Sequence, residues 1–332
     1  MRVFADSVVQ AAGVCVTLCS PLLAHATPAS TYQQVHDRVF APAQVDAAAA
    51  PEVRQEQAVY AAGQLPHYPV TASSIAAAGV GRLRQDAKRT LQDHVDLMPR
   101  LVKLVHANGI CLAGQWQITE PTPYTGYLRQ GARGLFLGRA SVSLSETRRD
   151  QPRGLAFAGK IFPTLDPQQP VSTANFFVAD VLAGTRRDHY LRTGMTNDPA
   201  LGFRWAAIPV AMKVATAFMG TDRQPQYRPV DNLAALGEAG PVRAPRYLMI
   251  RPAASNPLND AADFRDELNL NQQQVPAWDF EILASDRASK PEQPGWQRIG
   301  RIHLNESAVS YACDRQLHFG HAAINPKKGD PH

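Results

Sequence analysis

His106 lies in the segment Val105-His106-Ala107-Asn108-Gly109, directly ahead of the apolar run 110–118. An imidazole titrates close to neutral pH, so it can take up a proton and return it within one reaction cycle. Read from its own surroundings, a single histidine beside a glycine turn is more often structural than catalytic. A second group, His303, His318 and His321, has the residue type of a metal site. His318 and His321 would share one face of a helix, with Asp314 one turn earlier. Loop histidines without a ligand role are the commoner case. Glu146 with Asp150, and Asp263 with Asp266 and Glu267, read as solvated faces rather than acid/base pairs. Phosphate-binding glycine loops, a G-x-S-x-G elbow and an H-E-x-x-H helix are not found in the sequence, and no C-x-x-C pair signals structural zinc.

The segments that must position these residues are short. After His106 the chain breaks into apolar runs separated by Gly and Pro, with strands predicted at 110–118, 134–144, 154–162, 173–180, 245–252, 277–284 and 298–306. Several short strands with turn signals between them imply an antiparallel sheet or barrel. Residues 27–75, rich in Ala, Gln and Pro, read as an extended arm with short helices, and Pro51 marks a break in it. From 75 to 97 the recurrence of Leu83, Ala87, Leu91 and Val95 predicts a helix, which Pro99 stops. A further helix is predicted over 201–219, a loop over 221–244, and an acidic helical turn over 263–268. The fold class is therefore α+β. Residues 1–26 form a signal-like segment, 27–100 a helical arm, and 101–332 a β-barrel domain with a helical insertion around 201–219.

The 332 residues allow a sizeable core, and 45% hydrophobic with 19% charged residues describes a globular chain. The net charge of +5 is scattered, with no basic run, so nucleic-acid binding has little support. Residues 1–26 have a thin positive start, an apolar stretch and a small-x-small site at Ala24-His25-Ala26, which predicts export to the periplasm or the medium. No later stretch reaches the length of a membrane span. Cys15 and Cys19 would leave with the signal. Cys111 and Cys313 remain, either as a disulfide in an oxidising compartment or as two buried thiols.

The order and intervals of the motifs resemble the haem-dependent catalase family. There, a V-H-A-x-G turn is followed by R-F-S, P-R-G-F-A and F-F-x-x-D strands. This chain has Val105 to Gly109, Arg139-Ala140-Ser141, Pro152-Arg153-Gly154-Leu155-Ala156 and Phe176-Phe177-Val178-Ala179-Asp180. The resemblance implies a catalase-like antiparallel β-barrel, a b-type haem, and a peroxide or hydroperoxide as substrate. It assigns His106 as the acid/base, Ser141 as the group orienting its imidazole, and Arg139 and Lys103 as anchors of the haem propionates. Lysine at 103 keeps the charge of the family's arginine without its bidentate geometry. The family's asparagine precedes the Phe-Phe pair by four or five residues, where this chain has Val171 and Ser172, so Asn175 is the candidate in its place. Phe176 or Phe177 would pack on the haem face.

In the family the iron ligand is a tyrosinate from an R-x-x-x-Y helix after a G-K-L-x-L-N strand, which 299–305 resembles. The spacing occurs here at Arg186/Tyr190, Arg223/Tyr227 and Arg243/Tyr247, none of them at that point of the fold. The expectation is thus a small catalase-related peroxidase, similar also to allene oxide synthases, without the proximal-tyrosine segment. Val105 is the catalase-type residue, where allene oxide synthases have threonine, which favours peroxide over fatty-acid hydroperoxide. The competing expectation is a haem-free or truncated catalase-fold protein that uses the barrel cavity as a binding module. Family members assemble through their N-terminal arms, so homo-oligomer formation through 27–75 is implied as well.

Overall fold

Large apolar side chains alternate with small or polar ones along most of the chain after Asn108, and that period-two pattern gives a sheet with one face turned to a dry interior. In the computed structural model, the described residues are 30–69, 96–101, 103, 106–142, 146–151, 153–179, 188–197, 229–286 and 295–319. Eight strands form: β1 (Gly109–Ile118), β2 (Arg133–Val142), β3 (Leu155–Phe162), β4 (Ala174–Ala179), β5 (Met195–Thr196), β6 (Tyr247–Pro252), β7 (Trp278–Ser285) and β8 (Gln297–Ala308). Each is antiparallel to the next, and β8 returns to β1, closing the barrel. Closure removes the exposed edges that an open sheet would leave.

The inward rows fill the barrel. Trp116, Phe136, Phe157, Phe176 and Phe280 are fully buried and pack ring against ring, with Phe157 and Phe280 stacked at 5.6 Å. Glycine at 159 is required for this packing, because a Cβ there would stand 2.3 Å from the Phe176 ring. An eight-stranded barrel is just wide enough for its own side chains, and here they occupy it. Among the described residues these side chains form the main hydrophobic core.

Helices lie outside. α1 (Tyr32–Phe40) starts at a capping box between Thr31 and Gln34. It lays Tyr32, Val35 and Val39 on an outer apolar layer with Cys111, Leu137, Ala158 and Phe162. α2 (Pro51–Ala61) begins at the proline that the sequence marks as a break, with Pro in the first helical position. α3 (Pro229–Ala235) corrects part of the loop expected over 221–244: Val230, Leu233 and Ala234 are fully buried, and packing overrides the local turn signals. α4 (Phe264–Leu268) and α5 (Leu270–Gln273) follow β6, and α6 (Tyr311–Arg315) follows β8.

Cys111 of β1 and Cys313 of α6 form a disulfide, with Cα atoms 5.8 Å apart, which resolves the two alternatives for these cysteines. The expected strands are present with ends moved by at most two residues. The signal-like segment, the helix predicted over 201–219 and nearly all of the one over 75–97 lie outside the described residues. No helix among the described residues is long and apolar enough to cross a membrane.

Candidate functional site

The chain enters β1 through a turn in which His106 has a positive φ of 61°. A non-glycine residue in the left-handed region is uncommon and persists where the surroundings hold it. Three groups do so. The Arg139 Nη1 donates to the His106 carbonyl at 2.7 Å, and its Nη2 donates to the Ala107 carbonyl at 2.9 Å. Asn108 is locked from the other side, accepting the Tyr68 N–H at 2.8 Å and donating to the Tyr68 carbonyl at 3.2 Å. Gly109 then leaves space for the guanidinium, which a Cβ would meet at 2.4 Å.

The register of β1 to β4 places the rest. On the outer face one row runs Gly109, Ser141, Ala156, Ala179, the next Cys111, Arg139, Ala158, Phe177, and the next Ala113, Leu137, Lys160, Asn175. Ser141 Oγ lies 3.3 Å from Nδ1 of the half-buried His106. The Phe177 ring meets the imidazole edge-on, with centroids 5.1 Å apart. Around them Ala156 and Ala158 are buried and project only methyl groups. The candidate site is therefore a histidine whose Nδ1 meets Ser141 and whose ring meets Phe177, beside buried small residues of the outer face of the barrel.

A buried polar network stands behind it. Asp314, with no exposed surface, accepts from Arg139 Nη2 at 2.5 Å and from the Tyr60 hydroxyl at 2.9 Å. Tyr60 and Tyr68 share a hydrogen bond of 3.0 Å, and the Arg315 guanidinium stacks 3.7 Å over the Tyr68 ring. The Lys103 ammonium donates to the Asp314 carbonyl. Burial, reinforced by the Arg139 charge, pushes the Lys103 pKa well below the ordinary lysine value. Burial and the neighbouring Asp314 carboxylate raise the Tyr60 phenol far above its usual range.

The residues predicted from sequence separate into groups. His106, Ser141 and Phe177 meet. Arg139 sits directly beneath them, and Lys103 and Arg139 converge on Asp314. Phe176 leaves the candidate set: alternation along β4 turns it into the barrel, stacked 6.1 Å from Phe136, so only Phe177 of the pair faces His106. Asn175 shares the outward row sense of Phe177, roughly 7 Å further along β4. It is 6% exposed, and its Oδ1 has no hydrogen-bond partner among the described residues.

The tyrosines of the R-x-x-x-Y spacings lie elsewhere. Tyr190 donates to the Ala156 carbonyl at 2.8 Å from within the core, Tyr247 belongs to β6, and Tyr227 is outside the described residues. Among the described residues no three His, Cys, Asp or Glu side chains converge as metal ligands. His303 pairs with Asp279 at 2.8 Å, and His321 lies outside the described residues. The acidic group at 263–267 is corrected: Glu267 is fully buried and accepts the Tyr190 and Leu191 N–H groups at 3.1 and 2.8 Å. Sequence reasoning missed Asp314, Tyr60 and Tyr68 as neighbours of this site, because only the closed barrel and the disulfide bring them there.

No family model matches the sequence, and no curated protein matches it. Solved structures that match include catalase A from Saccharomyces cerevisiae, 10% identical, over 69% of this chain and 56% of that one, with a TM-score of 0.33. A fungal catalase is 12% identical over 69% of this chain and 54% of that one, with a TM-score of 0.35. A bacterial catalase is 12% identical over 68% and 52%, with a TM-score of 0.34. The chain spans about half the length of these solved structures.

Proposed function

We propose that this chain is a catalase-like haem protein that decomposes hydrogen peroxide or organic hydroperoxides, with His106 moving the proton. One observation carries the reading: the His106 imidazole is engaged at Nδ1 by Ser141 and edge-on by Phe177. A neutral imidazole there accepts the proton of one peroxide oxygen and returns it to the other. Ser141 sets which way the ring points, as a partner to the far nitrogen does for catalytic histidines. The carboxamide oxygen of Asn175, buried without a partner among the described residues, is suited to accept a hydrogen bond from the substrate.

A haem beside the imidazole would need the small residues there uncovered, since Ala156 has no exposed surface and Ala158 packs in the apolar cluster with Leu137 and Phe162. A bound haem supplies the redox-active iron for breaking the O–O bond. The anchoring side is occupied as well. Arg139 and Lys103 are both held by Asp314, so either would have to exchange that partner to bind a propionate. That arrangement favours a second reading, a haem-free protein of the same architecture acting as a binding module. Export belongs to the proposal too: the Cys111–Cys313 disulfide suits the oxidising compartment that the signal-like segment implies.

Haem added to the purified protein decides between the two readings. A Soret band supports the first, and a colourless protein supports the second. With haem bound, His106→Ala should keep the Soret band and lose peroxide turnover by about 10²–10⁴-fold, the usual contribution of a positioned acid/base group. Unchanged turnover would reject the role of His106.

A further inference from the structure

His106 depends on a residue far from it in sequence. Its left-handed backbone is held by the two Arg139 bonds to the His106 and Ala107 carbonyls. The same guanidinium is almost fully buried at 3% exposure, and its carboxylate partner is Asp314. A buried guanidinium deprived of its carboxylate is strongly disfavoured and turns to water or another acceptor. Asp314 is itself fixed by the Tyr60 hydroxyl and by its place on α6, next to Cys313. Cys313 is bonded to Cys111, which stands opposite Arg139 in the β1–β2 register. A continuous path thus runs from the disulfide through Asp314 and Arg139 to the backbone of His106.

We propose that Asp314 is a positioning residue for His106, acting through Arg139, and that the Cys111–Cys313 disulfide keeps Asp314 in place. The inference rests on the proposed function for what His106 does, but not for how it is held. The Asp314 carboxylate bonds to Arg139 and Tyr60, and it acts on the imidazole through Arg139. It sets the direction in which the turn delivers the ring to Ser141 and Phe177. Reduction of the disulfide would loosen α6 and, with it, the imidazole.

Nitrogen-15 spectra of histidine-labelled, haem-free protein test this, with the His106 ring signals identified by their loss in His106→Gln. In Asp314→Asn the His106 signals should be displaced and broadened. Glu267→Gln, which removes an equally buried carboxylate at the Tyr190 turn, should leave them where they are. Should Asp314→Asn not fold, mild reduction of Cys111–Cys313 in the native chain should produce the same displacement. Unmoved His106 signals in the variant that folds overturn the proposal, as does a shift no larger than in Glu267→Gln. Unfolding of both the variant and the reduced chain also overturns it, since Asp314 would then serve the fold as a whole. A failure to bind haem shows up separately, in the missing Soret band.

Discussion

Two buried cations share the outer face of the barrel, and each is tied to one carboxylate. Lys160, 1% exposed, pairs with Asp96, which also accepts from Thr173 at 3.3 Å. Removing one member strands the other, so Asp96→Ala should cost about 3–5 kcal/mol in urea unfolding. Lys160→Met with Asp96→Leu should come close to wild type, because the desolvation of both charges disappears together. Burial lowers the Lys160 pKa against the upward pull of Asp96. A depressed folded-state value means that the unfolded chain holds this proton to higher pH. The penalty is then complete below the folded pKa and gone above the ordinary lysine value. Wild type should therefore gain on the double variant as pH rises toward about 10 in paired urea midpoints; a constant gap would contradict it. The pairing of His106 with Ser141 was implied by the family resemblance and not by the local pattern, since 35 residues separate them and the β1–β2 register brings them together. The Phe176/Phe177 choice was not legible either, since each could face outward until the register was known.

At the scale of elements, the strands were legible wherever the period-two pattern ran for six residues or more. β5 was not, since two residues carry no period. α4 illustrates what makes so short a helix hold. Five residues are too few to be stable alone, and capping with tertiary anchors replaces propagation. Asp263 Oδ1 accepts the Arg265 N–H at 2.9 Å, its Oδ2 accepts Arg265 Nη2 at 2.7 Å, and Arg265 Nη1 reaches the Pro66 carbonyl at 2.6 Å. Asp263→Ala loses the cap and unpairs a buried guanidinium, so about 2–4 kcal/mol should be lost. Burial raises the Asp263 pKa, but the bonds and charge of Arg265 outweigh it and hold the carboxyl below the ordinary aspartate value. A depressed carboxyl contributes its stability above the unfolded pKa and loses it as pH falls through the folded one. The advantage of wild type over Asp263→Asn should be complete at about pH 6 and should shrink below about pH 3.9. Urea midpoints of the two proteins across that range check the sign.

Across the whole molecule, the contact that completes the barrel joins its first and last strands. β1 pairs with β8, with Cys111 opposite Ala308, and the disulfide links the same two regions over a sequence separation of 202. Pairing so distant in sequence is slow, because loop-closure entropy is lost before the sheet repays it. An oxidised chain has met that cost while still unfolded. Removing the link in Cys111→Ser/Cys313→Ser should thus lower stability by about 2–5 kcal/mol. Which kinetic limb carries the loss tells when the barrel closes. If β1 meets β8 at the barrier, the loss falls on folding, and the variant should refold at least about tenfold more slowly with little change in unfolding. The emission of the buried Trp116 and Trp278 reports it, after unfolding pulses short enough to keep the 26 prolines in their native isomers. A variant that unfolds faster and refolds at the wild-type rate would put closure after the barrier. In that case the other strands assemble first, and β8 docks last.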